Sequence, residues 1–229
     1  MKKDNLYENF SKLQPSVEAY YCLDKFLIPK LEAGSKILEI GVGNGEISNW
    51  LIEKYEVYCL YISEECLDKL NNKIKAKFKL DLEKEKIPVE DNFFDAVICF
   101  AVLEHLKNFN EALIEIKRVL KNEGLLFAST PNISWLPFRL KFLFGMCPED
   151  FHTADHVNFW NLKRFKKIFM DNGFKVVPQF TSLGLLNIFF PLIKKYRTRY
   201  LEIYDKYIFI ATNFKSALLG YNQIIIAKK

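Results

Sequence analysis

The chain predicts an α/β fold, a mostly parallel sheet with helices on both faces. Three observations carry that prediction. Short apolar runs alternate with helical segments along the chain, and strands separated by covering helices return parallel. The 229 residues, half of them hydrophobic, suffice for one sizeable core. The apolar residues Ile37, Leu38 and Ile40 pass directly into Gly41, Gly43 and Gly45 and then into a helical stretch over 46–54. Strand, glycine turn and helix in that order bring backbone close to a ligand at the edge of an open sheet. Glycine tolerates positive φ and has no Cβ to hold a ligand away.

The spacing around the turn is E-x-G-x-G-x-G, not the G-x-G-x-x-G of a dinucleotide site. Glu39 would repel a pyrophosphate and suits a cation. A second apolar strand follows at 56–62, and Ser63-Glu64-Glu65 reads as a helix N-terminus. A short third strand at 76–80 ends in Asp81-Leu82. Proline, a small acidic turn, aromatics and Asp95 lead into a fourth strand at 96–100, followed by Leu103-Glu104-His105-Leu106. Residues 111–120 read as a helix with Ile114, Val119 and Leu120 on its apolar side. Asn122-Glu123-Gly124 ends it, and 125–130, 174–180 and 223–227 complete seven strands.

This ordered series resembles the class I S-adenosylmethionine-dependent methyltransferases, closely over 35–130 and loosely beyond. The resemblance implies a Rossmann-like, seven-stranded, mostly parallel sheet in a single domain over 1–229. It also implies a helical N-terminal cap at 1–33, insertions at 131–160 and 183–219, and S-adenosylmethionine as cofactor. By the same resemblance Glu39 answers the methionine ammonium, directly or through water, and Gly41, Gly43 and Gly45 let the loop approach. Asp81 would bond the adenine amino group and the Leu82 N–H a ring nitrogen, with Ile62 and Phe100 completing the cofactor edge. One position departs. Where the family carries an acid that grips both ribose hydroxyls, this chain has Tyr61, and a phenol cannot accept two hydrogen bonds as a carboxylate does. Three outcomes are open: Tyr61 stacks on or bonds the ribose in another way, Glu64 or Glu65 reaches back, or affinity falls. Capping is the plainer role for Glu65.

Acceptor choice belongs to 131–160, after the fifth strand. It reads Pro131-Asn132-Ile133-Ser134-Trp135, an aromatic-basic helix over 139–144, then Phe151-His152-Thr153-Ala154-Asp155-His156-Val157-Asn158-Phe159-Trp160. This pattern is similar to bacterial methyltransferases acting on glycans, lipid-linked intermediates and related small molecules, although here the Asp directly precedes the His. Trp135, His152 and Asp155 are the candidate acceptor contacts. A hydroxyl acceptor gains about 10²–10⁴-fold from a general base, and His has a suitable pKa. His156 is the first candidate, with Asp155 or a nearby carbonyl orienting it; His105 is the second. The plain alternative is that each His fixes a loop. No metal is expected, because His152 and His156 lack an H-E-x-x-H context and a clear third ligand.

Lys plus Arg exceed Asp plus Glu by 33 − 28 = 5. Lys163-Arg164-Lys166-Lys167 and Lys194-Lys195-Arg197-Arg199 are the denser clusters. Neither has the aromatic interleaving of a nucleic-acid surface, so no nucleic-acid partner is expected. The apolar run 183–193 is too short to span a bilayer. With the basic residues that follow, it is compatible with peripheral contact at an anionic membrane surface. The N-terminus lacks an apolar signal core and the five cysteines form no C-x-x-C pair. Both favour the cytoplasm, including the inner membrane surface, with Cys59 and Cys99 as buried thiols. The oligomeric state is left open. Two functions remain: methyl transfer to an oxygen of a small-molecule or sugar-containing acceptor, or a methyltransferase-like binding or scaffolding protein of weak or lost turnover, motivated by Tyr61.

Overall fold

The computed structural model describes Ala19 and residues 22–148, 155–181 and 220–229. Among these, seven strands form one sheet: β1 (Lys36–Ile40), β2 (Glu56–Tyr61), β3 (Ala76–Lys79), β4 (Phe94–Phe100), β5 (Leu120–Pro131), β6 (Lys175–Thr181) and β7 (Asn222–Lys228). Their order is β3-β2-β1-β4-β5-β7-β6. β1 to β5 pair in parallel, and β7 runs antiparallel to both β5 and β6. This is the expected seven-stranded, mostly parallel α/β sheet.

Side chains alternate across it. Ile37, Val57, Cys59, Ala96, Ile98 and Phe127 face one core, which also holds Leu23, Leu27, Ile47 and Leu51. Leu38, Ile40, Leu60, Val97, Cys99 and Leu126 face the other, with Leu113, Ile116, Phe165 and Phe169. Burial on both faces explains why these strands read as continuous apolar runs. Each fully buried Leu, Ile or Phe contributes about 1.5–3 kcal/mol. Cys22, Cys59, Cys66 and Cys99 are buried free thiols, as expected for the two in strands, and Cys147 is exposed.

Among the described residues the α-helices are α1 (Glu46–Leu51), α2 (Glu64–Asp68), α3 (Phe109–Val119), α4 (Leu136–Leu143) and α5 (Leu162–Asp171). A π-helical turn, Leu23–Leu27, precedes β1 and buries Leu23 and Leu27. Most of the expected N-terminal cap and the whole of 183–219 lie outside the described residues, as do His152 and the second basic cluster.

Three elements differ from the sequence reading. The buried stripe of α3 is Ala112, Leu113, Ile116 and Val119; of the expected apolar residues Val119 and Leu120 are buried, whereas Ile114 is 55% exposed. β5 begins at Leu120, and its pairing with β4 shifts between Phe94 and Ala96. Residues 121–124 of β5 stand there against Asp95 alone, with Glu123 at φ 68°, so the Asn-Glu-Gly turn signal is an irregularity within a strand. α5 carries the basic cluster at Lys163–Lys167 on a helix the sequence reading did not place. Asn161 caps it by accepting the Arg164 N–H at 2.9 Å, and Leu162, Phe165, Ile168 and Phe169 are its buried face.

Candidate active site

Parallel pairing in register brings the C-terminal ends of β1 to β4 to one edge. Glu39 stands opposite Cys59 and Ile98, Tyr61 opposite Lys79, and Phe100 opposite Ser129. At that edge Gly41, Gly43 and Gly45 have φ of 80°, 51° and 73°, values that side-chain-bearing residues adopt only under strain. A Cβ on Gly41 would stand 2.3 Å from Val102 Cγ2. Val102, two residues past β4, therefore packs on the glycine loop, and the turn Leu103–His105 that follows it is held beside that loop.

Glu39 is 5% exposed and accepts a hydrogen bond from the Ser48 hydroxyl, tying β1 to α1 across the glycine turn. Burial pushes its carboxyl up to about 7, with the Ser48 bonds pulling the other way. Tyr61 is half-buried at the end of β2 and packs on the first core. Asp81 holds its own turn: one carboxylate oxygen accepts the Glu83 N–H at 3.1 Å and the other pairs with Lys84 Nζ at 2.6 Å. Glu64 pairs with Lys79 at 2.7 Å and Glu65 with Lys69 at 2.6 Å. Both candidate substitutes for the missing ribose acid are thus engaged elsewhere. Gly41, Gly43, Tyr61, Ile62, Asp81 and Phe100 are all half-buried, whereas Leu82 is buried. A partly open edge of approachable backbone, with a buried carboxylate behind it, fits an elongated cationic nucleoside such as S-adenosylmethionine.

Beyond β4 the chemistry changes. Val157 and Asn158 N–H donate to the Glu104 carbonyl at 2.9 and 3.1 Å, and Asn158 Nδ2 to the Leu106 carbonyl at 2.7 Å. These bonds draw the end of the 131–160 insertion onto the turn after β4. The rings of His105 and His156 lie 4.7 Å apart as a result. His105 Nδ1 is 2.9 Å from the Asp155 carbonyl; a carbonyl only accepts, so Nδ1 carries the proton. Burial, only partly offset by that carbonyl, lowers the His105 pKa and favours the neutral ring. The Asp155 carbonyl thus orients His105.

Glu104 is the residue sequence reasoning missed. It is 1% exposed, and neither carboxylate oxygen has a hydrogen-bond partner. Burial pushes its carboxyl up to about 8, eased in part by the nearby Thr130 hydroxyl, which is not placed to bond it. The ligating atoms of Glu104, His105 and His156 all lie within 4.8 Å of one another. An acid beside a His in a short turn was a visible signal, but its third partner is brought in by the fold alone. Trp135, at the start of α4, packs edge-on against Phe138 and Tyr221 at 5.1 and 5.0 Å. At the opposite edge of the sheet a cleft lined by Asp95, Lys121, Glu123 and Gly124 has both acids already occupied, Asp95 by the Lys36 N–H and Lys121, and Glu123 by Lys228.

Residues 19–179 match a family described as a methyltransferase domain. The chain is similar to an uncharacterized protein of Methanocaldococcus jannaschii, at 30% identity over 165 residues, 69% of this chain and 70% of that protein. It is also similar to the ubiquinone/menaquinone biosynthesis C-methyltransferase of Paraburkholderia phymatum, at 32% identity over 114 residues, 46% of this chain and 47% of that enzyme. The match thus spans less than half of the latter's length. In fold it is similar to a SAM-dependent methyltransferase from Archaeoglobus fulgidus, with a TM-score of 0.64, 20% identity and 98% of each chain covered. With the glycine edge and the strand order, these matches show that the chain belongs to the methyltransferase-domain family, the S-adenosylmethionine-dependent methyltransferases of the class I fold.

Proposed function

We propose that the protein methylates an oxygen of a small-molecule or sugar-containing acceptor, which reaches the cofactor at the His105–His156 pair. The observation that carries this reading is the packing of Val102 on Gly41, which holds the imidazole-bearing turn beside the glycine loop. S-adenosylmethionine supplies an electrophilic methyl group. Glu39, the three glycines, Tyr61, Ile62, Asp81, Leu82 and Phe100 bind and orient it, and Trp135, Asp155 and His152 belong to the acceptor side. Holding acceptor and methyl group together is worth about 7–11 kcal/mol in favourable cases. His156 takes the acceptor's proton, and His105, fixed by Asp155, shapes the place where it does so.

The test is calorimetric titration with S-adenosylmethionine, followed by mass-spectrometric screening of hydroxyl-bearing sugars, sugar nucleotides and phenols for a methyl adduct. Cofactor binding with O-methyl product is the expected result. Binding without turnover on any hydroxyl acceptor would favour a binding role, and products methylated only on carbon or nitrogen would overturn the choice of oxygen.

A further inference from the structure

Glu104, His105 and His156 make an arrangement that a proton-transfer site does not require. Two imidazoles and one carboxylate converge with their ligating atoms within 4.8 Å. A carboxylate 1% exposed with both oxygens unpartnered is costly unless something positive meets it. The Thr130 hydroxyl and one Asp155 carboxylate oxygen are also buried without a partner. His105 completes the pattern. Its Nδ1 is held by the Asp155 carbonyl at 2.9 Å, and it also offers a ring nitrogen to the cluster. Metal-bound histidines use their other nitrogen in that way, which fixes both tautomer and ring orientation.

The geometry points to a divalent-cation site formed by Glu104, His105 and His156 at the acceptor side of the methyl-transfer edge. Two nitrogens and one oxygen suit Zn²⁺, with Mn²⁺ a competitor, and disfavour Mg²⁺, which prefers oxygen donors. Three protein ligands leave coordination positions open to water or substrate. The role of the ion rests on the methyl-transfer reading above, and it turns the two imidazoles from base into ligands when the ion is bound. An acceptor hydroxyl entering an open position has its pKa lowered, as a bound water does. Its proton leaves to water. The oxygen lone pair then forms the O–C bond as the C–S bond breaks, and that bond's electrons stay on sulfur. Acceptors that can chelate, such as vicinal diols and catechols, are the class such a site selects.

Tag-free protein stripped with chelator and dialysed against Co²⁺ or Zn²⁺ provides the test. About one ion per chain by elemental analysis is expected, with visible d–d bands from Co²⁺ reporting nitrogen and oxygen ligands of low coordination number. Glu104→Gln and His156→Ala should each weaken uptake by roughly a hundred-fold or more, while S-adenosylmethionine binding by calorimetry stays unchanged. Wild-type uptake no tighter than that of Glu104→Gln would overturn the site. Should either variant fold poorly, the wild-type Co²⁺ spectrum decides alone: a spectrum at millimolar Co²⁺ no stronger than that of the hydrated ion overturns it. Full turnover of a chelating acceptor after the ion is stripped would overturn the ion's role. Ion uptake without cofactor binding would instead count against methyl transfer, so the two failures are distinguishable.

Discussion

The two halves of the active edge differ in how far their polar groups are satisfied. On the β1–β3 side Glu39 is bonded by Ser48, Asp81 by Glu83 and Lys84, and Glu64 and Glu65 by lysines. On the β4–β5–β7 side lie all the buried side-chain atoms found unpartnered among the described residues: those of Glu104, Thr130, Trp135, Asp155 and Gln223. A buried polar group without a partner costs about 1–3 kcal/mol. The first half is therefore satisfied as it stands, while the second holds buried polar atoms with no partner within the described residues. A cofactor shared by a whole family can be met by a settled site. On the reading proposed above, the unpartnered groups of the second half are those an acceptor or a bound ion would engage.

The largest expected effect lies in the settled half. Gly43 has φ 51°, and valine there is strained by its branched Cβ, so Gly43→Val should cut cofactor affinity by roughly a hundred-fold or more. Undiminished affinity in a well-folded variant, read by calorimetry, would refute the placement of the cofactor. In the unsettled half, His156→Ala should leave cofactor affinity intact and lower turnover by about 10²-fold or more, whether the imidazole acts as base or ligand. Full turnover would leave His156 as a loop-fixing residue, and the contrast between the halves would lose its functional meaning.

A third prediction follows from Glu39, whose carboxyl is pushed by burial to about 7 in the folded chain against about 4.3 in an unfolded one. The raised value means that the folded state binds the extra proton. Its stabilising effect is full below about pH 4.3 and is lost as pH rises through about 7. The cofactor-free protein should thus lose on the order of 2–3 kcal/mol between pH 4.5 and 8 relative to Glu39→Gln, measured by urea denaturation. A parallel pH dependence in both proteins would show that Ser48 satisfies the carboxylate fully.

The settled half was also the legible half. Each of its residues sits at a strand end within a short local pattern, so spacing along the chain maps directly onto position at the edge. The glycine loop, Asp81 and the strand at 96–100 stand where the sequence placed them. Glu104 was passed over because its partner His156 lies far along the chain, and their approach depends on backbone bonds from Val157 and Asn158. No local periodicity encodes such a bond. α5 was legible and missed: Asn161 is a good N-cap and the apolar residues recur at helical spacing, but its lysines drew attention to charge. The exposure of Ile114 on α3 has another cause. The spacing of Ile114 alone was a weak guide, and Leu113 and Ile116 have the better fit to the core.

Tyr61 lets the comparison be sharpened within the cofactor half. If one phenolic hydrogen bond holds the ribose, Tyr61→Phe should weaken cofactor binding by about 1 kcal/mol. Tyr61→Asp should then hold or improve affinity, since Glu64 and Glu65 are already paired with lysines. A large loss in Tyr61→Asp would mean that the ring itself is the wall of the pocket.

The smallest effect belongs to the border between the halves. Ala101 follows β4 at φ 51°, and its N–H donates to the Ser129 carbonyl at 3.1 Å and lies 3.2 Å from the Ser129 hydroxyl. A left-handed conformation costs an L-residue about 1–2 kcal/mol, and such strain persists only where neighbouring bonds enforce it. Ala101→Gly removes that cost but gives the unfolded chain more freedom, worth about 0.4–1 kcal/mol. The variant should therefore be unchanged or up to about 1 kcal/mol more stable in urea denaturation. A loosened joint should lower turnover more than cofactor affinity, because Val102 and His105 are positioned from this residue onward. Destabilisation beyond about 1 kcal/mol would show that the alanine methyl is supported by packing. Equal losses in affinity and turnover would show that the two halves move as one.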